Sequence, residues 1–100
     1  MTKDDIRKNG KGFYSLKLYV SGAAPNSLKA IKNIREICKR YFPGQYVLQI
    51  IDIYRRPHLA RSQNIIAVPT LIKDSPEPLR IFIGNLSAMD QVARHIRTAG

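Results

Sequence analysis

Three segments in a fixed order constrain this chain more than any single motif does: an alternating apolar stretch, an amphipathic stretch at helical period, and an almost unbroken apolar stretch. Between Tyr14 and Val20, the apolar Leu16, Leu18 and Val20 alternate with Ser15, Lys17 and Tyr19, the period-two pattern of a strand with one wetter face. The chain then breaks at Ser21-Gly22-Ala23-Ala24-Pro25, where Asn26 or Ser27 is expected to cap a helix by accepting from its first free amides. Leu28, Ile31, Ile34, Cys38, Tyr41 and Phe42 recur at spacings of three and four, giving that helix one apolar face before Pro43-Gly44 stops it. Tyr46 to Ile53, YVLQIIDI, is rich in β-branched residues and reads as a strand covered on both faces of a parallel sheet. Strand, helix and buried strand make a βαβ unit.

The second half is less decided. Arg55 to Arg61 holds a proline where a first helical turn tolerates one, but the helix it predicts is short. Ile65 to Ile72 is strand-like yet interrupted by Pro69, which a central ladder does not accept easily. Asp74-Ser75-Pro76-Glu77-Pro78 is turn chemistry, Leu79 to Ile83 completes a hairpin, and Gly84-Asn85 closes it. Ser87 with Asp90 resembles a capping box, opening a last helix with Met89, Val92, Ala93 and Ile96 inward. The expected class is α/β with the order βαβαββα: residues 1–12 form a flexible basic arm and 13–100 a single domain. At 100 residues the chain buries roughly two thirds of its unfolded surface, enough for one core and little room for separate substrate and cofactor pockets.

This order, with Val68-Pro69-Thr70 opening the third strand, is the layout of a thioredoxin-like fold, in which that proline is cis and sits beside a redox pair. The place of the pair is here Ser21 to Asn26, which holds no cysteine, so thiol exchange is excluded there. Cys38, on the apolar helix face, reads as a buried structural thiol. His58 and His95 lack partners at metal-ligand spacing and read as surface residues, and Asp52 reads as a turn former. No phosphate loop, dinucleotide fingerprint or nucleophile elbow is present, so no catalytic residue, metal or cofactor is expected. The dominant polar feature is charge: 17 Lys and Arg against 7 Asp and Glu, a formal +10. Lys29, Lys32, Lys39 and Arg40 lie with Glu36 on the solvent side of the first helix, Arg55, Arg56 and Arg61 cluster in the short one, and Arg80, Arg94 and Arg97 follow. Such a surface attracts anions, and a basic thioredoxin-like domain binding nucleic acid is the alternative it raises. Against it, aromatics do not interleave with the basic residues, and Tyr19 alone is placed to stack. No window reaches about 18 apolar residues, the polar start is not a secretory signal, and a lone cysteine fits a reducing cytoplasm.

Five pieces also carry a resemblance: LKLYV-x-G-x-x-PNS from Leu16, the strand ending IID at Asp52, A-x-PTL at Ala67 to Leu71, the proline pair Pro76 and Pro78, and IG-x-LS from Ile83. In this order and spacing, from Leu16 to Ser87, they resemble the KaiB family of bacterial clock proteins. The resemblance implies a non-enzymatic adaptor that docks on a KaiC-type RecA-like ATPase, in a clock or a clock-derived stress-response role, with KaiA or a histidine kinase as further partners. It also implies two folds, a thioredoxin-like bound form and a free homotetramer of order βαββααβ, with self-association as dimer or tetramer. Residue by residue, Lys29 matches a basic contact on the first helix, Arg80 one after the proline cluster, and Lys11 one before the first strand. With Lys32, Arg55 and Arg56 these are the expected partner-binding residues. Tyr14, Gly84 and Asn85, with Pro69, Pro76 and Pro78, fall at positions tied to the choice of fold, Asn85 standing where the family carries Asp.

Overall fold

The computed structural model describes residues 13–97; the expected arm and Lys11 lie outside the described residues. Its elements are β1 (Tyr14–Val20), α1 (Pro25–Tyr41), β2 (Tyr46–Asp52), α2 (Pro57–Ser62), β3 (Thr70–Ser75), β4 (Arg80–Ile83) and α3 (Met89–Arg97). The order is βαβαββα, the thioredoxin-like of the two expected folds. One four-stranded sheet runs β2-β1-β3-β4, with β1 and β2 parallel and the other pairs antiparallel.

The alternation of β1 sorts its side chains onto two layers. Tyr14, Leu16, Leu18 and Val20 meet Ala30, Ile34, Ile37, Cys38 and Phe42 of the α1 segment and Val92, Ala93 and Ile96 of α3 in the main core. The opposite face is not simply wet. Tyr19 is buried there with Ile51 and Ile72, under Leu59 of α2 and Ile65 and Val68 of the loop that follows. Burial raises the Tyr19 phenol above its usual range, with Lys17 opposing and Asp74 reinforcing the effect. Tyr19 therefore offers no stacking surface, which corrects the expectation for it.

Four other local expectations change. First, α1 starts at Pro25 with Ala24 as N-cap and no side-chain cap; Ser27 instead turns inward, and its hydroxyl accepts from the Ser21 amide at 3.0 Å. Second, Leu28 is half exposed, while Ala30, Ile34, Ile37 and Cys38 supply the buried stripe. Third, β2 is an edge strand, not an enclosed one: Val47 and Gln49 are exposed and only Ile51 is fully buried. Fourth, β3 begins after Pro69 and not at Ile65, so the proline precedes the ladder it would have broken. The peptides before Pro69, Pro76 and Pro78 are all cis.

The final helix arises differently from the expected capping box. Asn85 accepts from the Ser87 amide through its side chain at 3.0 Å, and its carbonyl oxygen receives the Asn33 side-chain amide at 2.7 Å, tying this turn to α1. Asp90 receives a hydrogen bond from the Tyr41 hydroxyl, so it bridges helices instead of closing a box. Tyr14 packs on Phe42 with ring centroids 4.5 Å apart, and Gly84, at φ 115°, donates to the Pro69 carbonyl at 3.0 Å.

Candidate binding surface

Helical period places Lys32, Arg35 and Lys39 on one flank of α1, at spacings of three and four. That flank overhangs edge strand β2. Between them runs a groove of about 510 Å³ lined by Arg35, Lys39, Tyr46, Leu48 and Ile50, and a neighbouring hollow adds Leu28, Ile31, Lys32 and Glu36. The floor is apolar and the rim cationic. Glu36 is engaged by Arg40 at 2.9 Å, a half-exposed i,i+4 pair, so the groove keeps a strong positive bias.

A second cleft opens where β1 and β2 end, lined by Gly22, Ala23, Gln49, Ile50, Ile51, Asp52, Arg55 and Arg56. Its shape comes from Asp52, whose Oδ1 accepts from the Gly22 amide at 3.2 Å and the Tyr54 amide at 2.9 Å, joining the two loops. The Asp52 carbonyl receives the Arg55 and Arg56 amides at 3.1 and 2.9 Å. Gly22 has φ +50°, a conformation a side chain resists, and Tyr54 lies over it. Asp52 is thus the turn former the sequence pointed to. Ile50 lines both the groove and the cleft, so the two join along β2 into one basic band.

Of the expected contact residues, Lys32, Arg55 and Arg56 fall on this band. Lys29 is exposed on α1 but lines none of these three hollows. Arg80 sits on β4, the opposite margin of the sheet from β2, and is not brought together with the others. Arg35 and Lys39 join the site although the expected set lacked them; their spacing from Lys32 was the available signal. His58 and His95 are exposed, as expected. Cys38 is fully buried, and burial pushes its thiol up to about 12, which leaves essentially no thiolate at neutral pH. Among the described residues no cluster of three His, Cys, Asp or Glu side chains is arranged to hold a metal.

The KaiB domain model matches residues 17–98. The chain belongs to the KaiB family. It is 46% identical over 82 residues to the circadian clock oscillator protein KaiB of Trichodesmium erythraeum, covering 82% of this chain and 79% of that one. It is 45% identical over 84 residues to the KaiB of Prochlorococcus marinus strain NATL2A, covering 84% and 78%. Among solved structures, the N-terminal domain of Synechococcus elongatus SasA aligns with a TM-score of 0.69 at 22% identity, covering 85% of this chain and 80% of that domain. Mitochondrial thioredoxin 3 of Saccharomyces cerevisiae aligns with 0.69 at 12%, covering 94% and 86%. Both likenesses concern the fold, which is thioredoxin-like. Within that fold, Ser21 to Asn26 of this KaiB-family chain, the segment expected to stand in the place of a redox pair, holds no cysteine, and no helix of the described residues is long and apolar enough to cross a membrane.

Proposed function

We propose that this KaiB-family protein is a non-enzymatic adaptor that regulates a KaiC-type RecA-like ATPase, its basic band along α1, β2 and the Arg55-Arg56 turn receiving an acidic face of that partner. The observation that carries the reading is the combination of an apolar floor with a rim of Lys32, Arg35, Lys39, Arg55 and Arg56. Apolar contact supplies residence time, and the cations steer encounter and orientation. The nucleic-acid reading loses the stacking residue the sequence offered for it, since Tyr19 is 1% exposed, and keeps only Tyr54, exposed beside Arg55 and Arg56.

The test is association with a KaiC-type ATPase encoded in the same genome, measured by surface-immobilised kinetics at several salt concentrations. The variant K32E/R35E/K39E is expected to lower the association rate at least tenfold at low salt, with the deficit shrinking as salt screens both proteins. An unchanged rate constant refutes the band as the docking surface. A tight, salt-steep affinity for RNA without any for the ATPase overturns the adaptor reading in favour of nucleic acid.

A further inference from the structure

Lys73 has no part in the basic band. It stands in the middle of β3, opposite Leu16 of β1 and Arg80 of β4, and strand alternation sends its side chain with that of Leu71 to the face that carries α1 and α3. It is 1% exposed. Its Nζ donates to the Ile96 carbonyl at 3.2 Å, in the last turn of α3, where helix carbonyls have no intrahelical partner. Among the described residues no carboxylate lies within ion-pair distance of it.

An ammonium in such a place is expensive to keep. Withdrawal from water penalises the ion heavily, and one carbonyl at the negative end of a short helix dipole returns only part of that. A methionine of similar length would fill the same space without that penalty. The helix above is correspondingly light: α3 has nine residues, below the roughly 12 to 15 at which a helix begins to hold by itself, and it is fixed by Val92, Ala93 and Ile96. Two further ties to α1 lie at the surface, the Asp90–Tyr41 hydrogen bond and Arg97 over the Tyr41 ring at 5.8 Å.

We propose that Lys73 makes the docking of α3 reversible: the charge buried beneath the helix is a built-in weak point, and α3 leaves the sheet as a unit when that charge regains water. The rehydrated ammonium offsets much of the apolar burial lost from α3, while α1, whose buried stripe lies on β1 and has no such charge beneath it, stays in place. Release of α3 uncovers the apolar face of β3 and β4 on demand.

The test is hydrogen exchange of the intact protein and of K73M at pH 7.5, comparing amides of α3 with those of α1. In the wild type, α3 is expected to exchange at least 100-fold faster than the core of α1, through a local opening; K73M slows α3 about tenfold and leaves α1 unchanged. Equal protection of α3 and α1 in the wild type overturns the proposal. So does a K73M protein that exchanges faster at α3 or fails to fold, because Lys73 would then be a support and not a weak point.

A pH comparison gives a second readout. Burial first, then Arg80, lowers the Lys73 amine below its usual value, and the opened state restores that value. Raising pH towards the ordinary lysine range removes the proton from the docked state first, so the docked state gains. Between pH 7.5 and 9.5, α3 protection corrected for intrinsic rate is expected to rise more in the wild type than in K73M, and an identical rise overturns the proposal. The other groups on this side of the sheet include Arg80 of β4, Tyr14 of β1, Tyr46 of β2, Cys38 and Tyr41 of α1, and Asp90, Arg94, His95 and Arg97 of α3. They are common to both proteins and drop out of the difference.

Discussion

Replacing Asp52 by alanine tests whether one carboxylate builds the cleft at the end of β1 and β2. The side chain holds two loops through a single oxygen, accepting from Gly22 at 3.2 Å and from Tyr54 at 2.9 Å. A hydrogen bond of this kind contributes a net 0.5–1.5 kcal/mol, with more for a charged acceptor. The Gly22 bond is long, and the Tyr54 amide sits in an exposed turn where water replaces part of what is lost. The expected cost is about 1–2 kcal/mol, which for a domain of this size lowers the melting temperature by roughly 5–15 °C. Asp52→Asn keeps an acceptor oxygen of the same shape and is expected to lose less than half as much. Thermal denaturation followed by circular dichroism, with both variants at one protein concentration, gives the comparison. If D52A and D52N melt together, the carboxylate does not organise the loops and the account of the cleft is wrong. The same pair separates stability from binding: D52A is expected to bind the ATPase more weakly than D52N at a temperature where both are folded, because the Gly22-Ala23 wall of the cleft is then loose.

Two further outcomes follow from the core. Ile34, fully buried between β1 and α3, is expected to cost about 2–5 kcal/mol when cut to alanine, the range for a large-to-small change in a packed interior, read by urea denaturation. Cys38 is expected to resist a thiol reagent at pH 8 until the protein is denatured; because its thiol is raised to about 12 in the fold, its contribution to stability is full below the unfolded value near 9 and is lost as pH climbs from there towards 12. A C38A protein that loses the same stability over that interval assigns the effect to another group.

The first half of the fold was legible because its signals are local. Leu16, Leu18 and Val20 alternate, Ile34 and Cys38 keep helical spacing, and each period states its own element. What was not legible depended on neighbours distant in sequence. YVLQIIDI reads as an enclosed strand, and whether it lies at the centre or the margin is decided by where β3 and β4 insert, beside β1 on its other side. Tyr19 reads as wet because β1 alone says so, yet α2 and the loop at Ile65 and Val68 arrive to cover it. Lys73 went unnoticed for a similar reason: in TLIKDS a lysine marks a surface position, and only the arrival of α3 encloses it. At the candidate surface, Lys32, Arg55 and Arg56 were visible as charges, but their alignment along β2 required the crossover that sets α1 over that strand. Arg80 shows the converse, a basic residue that the topology carries to the opposite margin of the sheet.

The marginal place of β2 has a consequence for how copies of this protein behave when crowded. Among the described residues β2 has a strand neighbour on one side only, and YVLQII combines β-branched and aromatic residues without a charge, the composition that templates strand-by-strand accretion. Arg35 and Lys39 overhang that rim, and the chain's +10 keeps approaching copies apart. The cations that suit the surface to an acidic partner thus also act as gatekeepers for its colloidal stability. Their reach is set by ionic strength, about 8 Å at physiological salt, so a polyanion or concentrated salt shortens the guard and clumping through the β2 margin sets in.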